Sequence, residues 1–211
     1  MSPQIIFWIT FAVLGLAVSY CSRKYCMLKD NSSAIKQPYS WSRVQLAWWT
    51  VIILSAFIAI LFTYNQAPTL TTSTVILLGI SAATTAVART IDVSDATSPT
   101  TLPSQPADEG SNLVLDILSD QNGVSIHRFQ TVVFNFVFGC WFIVAVLEHL
   151  HNMPDDGIDA IMPDFATTNL VLLGVSSATY AAIKTTEKKP TEKGLPIQAA
   201  TTNTNTTNGE V

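Results

Sequence analysis

Residues 68–89, PTLTTSTVILLGISAATTAVAR, occur a second time as residues 163–184, PDFATTNLVLLGVSSATYAAIK. An offset of 95 carries Pro68 onto Pro163, Thr72 onto Thr167, and Leu77, Leu78 and Gly79 onto Leu172, Leu173 and Gly174. The same offset carries Ser81, Ala83, Thr84 and Ala86 onto Ser176, Ala178, Thr179 and Ala181, and the basic end Arg89 onto Lys184. A gapless run of this length marks an internal repeat, and a repeat constrains the architecture before any single residue does.

Working outward, the repeat unit begins upstream of this stretch. An offset of 85 maps Ser125, Arg128 and Gln130 onto Ser40, Arg43 and Gln45, so two apolar segments each open with S-x-x-R-x-Q. Each unit then reads as a helix, a turn, and a second helix carrying L-L-G-[IV]-S-[AS]-A-T. The change of offset from 85 to 95 makes the second turn ten residues longer.

Composition says what these helices are for. Of 211 residues 48% are hydrophobic and only 12% charged, with the charges clustered between long uncharged runs. Uncharged apolar runs of about 17–25 residues can cross a bilayer core. Five fit: residues 5–20, 45–64, 71–88, 129–147 and 167–183. The third and fifth are short and rich in Thr, Ser and Ala, and their likeness to one another carries them. The first has no Lys or Arg ahead of it and Arg23 and Lys24 behind it, so it reads as a retained anchor rather than a cleaved signal.

The expected fold is therefore an all-α membrane protein of five transmembrane helices, an N-terminal anchor plus two parallel-repeat helical hairpins. Residues 1–21 form the anchor, 22–42 a basic cytoplasmic linker, 43–89 the first hairpin and 90–124 a cytoplasmic loop. Residues 125–184 form the second hairpin and 185–211 a disordered tail, rich in Thr and Asn. Within the loop, residues 96–109 (ATSPTTLPSQPADE) have no apolar periodicity, whereas residues 112–120 (NLVLDILSD) are apolar enough to lie on the membrane surface or dock on the bundle. The parallel hairpins predict an approximately two-fold four-helix bundle, with the anchor as a fifth helix outside the repeat.

Every Lys and Arg falls in 23–43, 89–128 or after 183, and none in 65–70 or 149–166. The positive-inside rule then places the N-terminus outside and the C-terminus in the cytoplasm of a plasma or bacterial inner membrane. Three cysteines, Cys21, Cys26 and Cys140, make no disulfide framework and read as reduced thiols.

Four groups of residues are candidates for a role. The first is the helix-start pair Arg43, Gln45 and Arg128, Gln130. A cation at a helix N-terminus opposes the macrodipole, so finding it twice requires a cause: a lipid phosphate, a carboxylate, or the fixing of orientation while the glutamines bond across the bundle. The second is the small-residue face Gly79, Ala83, Ala86 and its copy Gly174, Ala178, Ala181, whose spacing lets helix backbones approach closely. The third is Thr50 with Asn135 and Ser55 with Cys140, equivalent positions that could line a polar path or bond between helices. The last is the outer loop with Glu148, His149, His151, Asp155, Asp156, Asp159 and Asp164, whose order matches no metal-loop signature and which reads as a solvated acidic loop. Asp120-x-Asn122-Gly123 fails as an EF-hand because Leu118 and Phe129 stand where acids are needed.

No Asp, Glu, Lys, Arg or His falls at mid-membrane depth, which disfavours a pump or coupled transporter. Without a nucleophile–base pair or a phosphate-binding glycine loop, no enzyme, cofactor or metal is indicated, and nothing points to nucleic acid. The function expected is a non-enzymatic anchor or scaffold, assembling through small faces as a homo-oligomer or with another membrane subunit and engaging a cytoplasmic protein. The alternative is a passive oligomeric pore. A metal-dependent enzyme on His149 and His151 is a distant third.

Overall fold

The computed structural model describes residues 2–29, 38–96, 113–120, 123–174 and 178, with the backbone alone for 91–96, 120 and 123. The fold is mostly helical. Among the described residues four helices are long and apolar enough to cross a membrane: α1 (Pro3–Tyr25), α2 (Trp41–Tyr64), α3 (Thr72–Ala96, its apolar part Thr72–Thr90) and α5 (Ile126–His151). Between α3 and α5 lie the short α4 (Leu113–Leu118) and a two-residue antiparallel ladder of β1 (Ser119–Asp120) with β2 (Gly123–Val124). A 3-10 turn, Ile158–Ala160, precedes α6, described over residues 167–174. The rest of the fifth expected span, Ala181 included, lies outside the described residues.

Helix α2 is the centre, packing against α1, α3 and α5. Its inward face is Trp49, Ile52, Ile53, Ala56, Ala59 and Ile60, which meet Phe142, Val146 and Leu150 of α5 in one core. Contacts climb both helices together. Trp41 clusters with Val132, Trp48 bonds the Asn135 carbonyl at 3.3 Å, and Trp49 lies edge-on to Phe142 at 6.4 Å, so α2 and α5 run parallel. Helix α3 returns antiparallel, its Thr85 hydroxyl donating to the Ser42 carbonyl at 3.0 Å. Helix α1 is antiparallel to both: Gln4 near its start donates to the Leu147 carbonyl near the end of α5 at 3.2 Å. The anchor is thus no outlier, and its Phe7 is wholly buried in the core.

The faces are inverted relative to a water-soluble bundle. Phe62, Val75, Phe136, Val137 and Val144 are exposed, while Ser55, Ser73, Thr74, Ser81, Thr84 and Asn135 are buried. This suits a hydrocarbon surround, where apolar surface costs nothing outside and polar groups must find partners inside. Hydroxyls of Thr50, Ser55, Thr63, Thr84 and Thr131 bond the carbonyl one turn back in their own helices.

Segment boundaries depart from expectation where local chemistry intervenes. Helix α1 runs on to Tyr25 and ends with Cys26 in the left-handed region, φ 53°. Pro68 lies ahead of α3, which starts at Thr72, and is buried in the approach, as Pro163 is buried ahead of α6. Asn65, with φ 54°, ends α2. Helix α4 docks on α5, and its Ile117 packs against Trp41.

The long outer loop is not the solvated acidic segment expected from its charges. Its acidic residues Asp155, Asp156, Asp159 and Asp164 are exposed, but Ile161, Met162, Pro163 and Phe165 are buried. Phe165 stacks on Phe142 at 5.7 Å and meets Trp49 and Trp141 at 6.0 and 5.1 Å. Phe142 lies nine residues before the end of α5, so the loop descends about 13 Å back into the bundle. Four apolar side chains in five residues outweigh acids that can stay at the rim. The descending backbone finds partners, as it must: Phe165 N–H donates to Ser73 Oγ at 3.0 Å, and the Ile161 carbonyl accepts from His149 Nδ1 at 3.0 Å.

Candidate functional site

The helix-start pair sits on two local structures of one design. Ahead of α2, Lys29 pairs antiparallel with Tyr39, and Ser40 N–H donates to the Leu28 carbonyl at 2.8 Å. Ahead of α5, Ser119 pairs antiparallel with Val124, and Ser125 N–H donates to the Leu118 carbonyl at 2.9 Å. Each serine is the N-cap residue, with no side-chain cap bond. Each arginine occupies the third helical position and turns back to the same place: Arg43 Nη1 donates to the Lys29 carbonyl, and more loosely to Met27 O at 3.5 Å, while Arg128 Nη1 donates to the Ser119 carbonyl at 2.7 Å.

That geometry supplies a cause for a cation at a positive helix end. The guanidinium closes a small clasp, and the carbonyl oxygens it binds offset the dipole it opposes. Sequence reading missed half of the clasp. Leu28-Lys29-Asp30 and Leu118-Ser119-Asp120 share L-x-D ahead of S-x-x-R-x-Q, at an offset of 90 that a fixed-offset comparison passes over. The two clasps are joined, since Asp116 Oδ2 of α4 accepts from Tyr39 N–H at 3.1 Å.

The glutamines part company. Gln45 is buried at 1% exposure, whereas Gln130 is exposed. The polar-path residues likewise share no surface: Thr50 is exposed, Ser55 and Asn135 are wholly buried, and Cys140 is half-buried. Asn135 instead ties the bundle together. Its Oδ1 accepts from Trp49 Nε1 at 2.9 Å and its Nδ2 donates to the Thr131 carbonyl at 2.8 Å. Cys21, Cys26 and Cys140 are free thiols.

The small-residue face points away from the chain's own core. Gly79, Ala83 and Ala86 are exposed, while Leu77, Ser81, Thr84 and Ala88 on the opposite side of α3 are buried. A Cβ at Gly79 would meet nothing within 4 Å. In the second copy Gly174 is half-buried, with Ile80 Cδ1 3.6 Å from where its Cβ would stand, and Ala178 is exposed.

At the other end, Ser73 Oγ donates to Asp164 Oδ1, and Thr69 N–H donates to Asp159 Oδ1 at 2.8 Å. The Thr69 backbone bond, with a lesser side-chain contribution from Thr69, holds the Asp159 carboxyl below its ordinary value. Among the described residues no three His, Cys, Asp or Glu side chains come together as a metal site. His149 is engaged by the Ile161 carbonyl; since a carbonyl only accepts, its Nδ1 carries the proton.

Compared with known protein families, curated proteins and solved structures, the chain matches none.

Proposed function

We propose that the chain is a multi-pass integral membrane protein, an anchor followed by two repeated helical hairpins, that serves as a non-enzymatic scaffold. The observation that carries this reading is the outward face of α3. Gly79, Ala83 and Ala86 leave a shallow strip that the packing of the described residues does not use. In lipid, helices associate through close backbone approach and hydrogen bonds rather than through hydrophobic burial, so a bare small-residue strip favours a second helix over lipid chains. Assembly with a further copy or another membrane subunit takes place there. The clustered basic residues Arg23, Lys24, Arg43, Arg89 and Arg128 support a cytoplasmic location for the end that bears them, where segments 22–42 and 90–124 would meet a protein partner.

The test uses Gly79→Leu, which the free space around Gly79 lets the single chain accommodate. Size analysis in mild detergent, together with crosslinking of an Ala83→Cys variant, reads the association. The expected result is an oligomer with an Ala83→Cys crosslink, both abolished by Gly79→Leu while thermal unfolding of the single chain is unchanged. A protein monomeric at every concentration, or an oligomer indifferent to Gly79→Leu, would sink the reading.

A further inference from the structure

Beside the small-residue strip, the first hairpin carries an open groove. At the basic end, α1, the first clasp, α2 and α3 enclose a cavity of about 480 Å³ bordered by Arg43 and Arg89, with Val18, Leu46 and Ala47 in its wall. A second cavity of about 320 Å³, walled by Ile53, Leu54, Phe57, Leu70 and Leu78, adjoins it, and Thr50 borders both. From Arg43 to Phe57 the groove follows α2 for about 21 Å. One leaflet of a bilayer core is about 15 Å deep.

Its chemistry is graded along that length. Both cations line the mouth, and among the described residues no carboxylate lines either cavity. Among the described residues both bonds of Arg43 use Nη1, to the Met27 and Lys29 carbonyls, which fixes the guanidinium at the rim and leaves Nε and Nη2 with their donors. Below the mouth the hydroxyls present are already spent: Thr50 donates to Leu46 O at 2.7 Å, and Thr85 to Ser42 O and Ser81 O at 3.0 and 2.9 Å. What remains facing the groove is apolar.

Two cations at the interface end of an apolar channel longer than a leaflet is deep match a phosphate on an acyl chain. We infer that this groove binds an anionic phospholipid of the surrounding bilayer, its phosphate held by Arg43 and Arg89 and one acyl chain lying along α2 past Thr50. The inference rests on the membrane reading above. A basic residue near an anionic headgroup contributes enough that losing one weakens binding about fivefold and losing both about thirtyfold. Arg43 serves both the clasp and the lipid. Arg89 is exposed and makes no bond within the described fold, so its loss reports on the lipid alone.

Alkaline carbonate extraction of expressing membranes comes first: a chain released into the soluble fraction would sink both readings. With a retained chain, native mass spectrometry of the detergent-purified protein is run with phosphatidylglycerol and phosphatidylcholine of identical chains. The expected result is a preferred phosphatidylglycerol adduct, weakened about fivefold in Arg89→Gln and about thirtyfold in Arg43→Gln/Arg89→Gln. It should also be reduced by Thr50→Trp, which fills the channel, and kept in Arg23→Gln/Lys24→Gln. Equal binding of the two lipids would overturn the inference while leaving the membrane reading intact. So would an equal loss in Arg23→Gln/Lys24→Gln, competition by inorganic phosphate, or a copurifying peptide in the groove.

Discussion

The two copies of the repeat set the same residues in different surroundings. Leu77 is wholly buried and Leu78 half-buried in α3, whereas their equivalents in α6 are reversed, Leu172 half-buried and Leu173 wholly buried. One residue is about 100° of helix, so α6 presents its sequence to the core through a different angle, and Gly174 turns toward Ile80 while Gly79 faces outward. The first helices diverge as well. Arg43 borders an open groove and Arg128 is 5% exposed; Thr50 is exposed and its equivalent Asn135 is buried. Local motifs, the clasp above all, repeat faithfully because their partners lie within a few residues of one another. Burial does not repeat, because α1 packs on α2 and α5 without a second copy of itself, and the ten-residue-longer loop, which sends Phe165 between α2 and α5, has no counterpart in the short turn after α2. One copy is closed and the other left open, and the groove and the outward strip both belong to the open copy.

The strongest test of this difference is Gly139. Its equivalent under the offset of 85 is Leu54, which is exposed, but a Cβ on Gly139 would stand 2.8 Å from Cε2 of the Trp48 indole. Gly139→Ala should therefore force Trp48 out of its place between α2 and α5 and break its bond to the Asn135 carbonyl, costing about 3 kcal/mol. Leu54→Ala should cost within about 0.5 kcal/mol. Unfolding in detergent with rising SDS, followed by tryptophan fluorescence, reads both, and equal effects would mean the two copies pack alike. Next in size is Asn135→Leu, which strands the Trp49 indole N–H in a dry core for about 1–2 kcal/mol, against little change for Thr50→Val at the equivalent exposed site. A larger loss for Thr50→Val would invert the assignment of open and closed copies.

How much of this was legible beforehand follows from the range of the forces. The apolar spans could be read because length and charge exclusion act on single segments, and α2, α3 and α5 fall where they are expected. The clasp could have been found, since L-x-D precedes S-x-x-R-x-Q in both copies, but unequal insertions hide it from a fixed offset. Phe165 was not legible. It aligns with Leu70, and nothing in a loop carrying Asp155, Asp156, Asp159 and Asp164 announces that Phe165 stacks on Phe142 inside the bundle. Nor was the direction of the Gly79 face: small residues read as packing positions, yet Ser81 and Thr84 hold the inward side, because in lipid the buried face is the polar one.

The smallest expected effect lies at the rim, where the two copies meet. Asp159 of the long loop accepts from the Thr69 N–H of the short one, and that bond lowers its carboxyl below the ordinary 3.8. A folded value below the unfolded one means the bond contributes stability that is fully present above 3.8 and is lost as pH falls through the folded value. The carboxylate is fully exposed, so water and salt screen the contribution and the effect on global unfolding should be slight. It is visible locally instead. The Asp159 carboxyl carbon, followed by NMR in detergent, should titrate below 3.8 in the native chain and return to 3.8 when Thr69→Pro removes the donor, with the core signals of Trp49 and Phe142 unmoved. A midpoint that ignores Thr69→Pro would mean the two loops do not clasp through this pair, and the descent of residues 161–165 would then rest on their buried side chains and the Ser73 contacts alone.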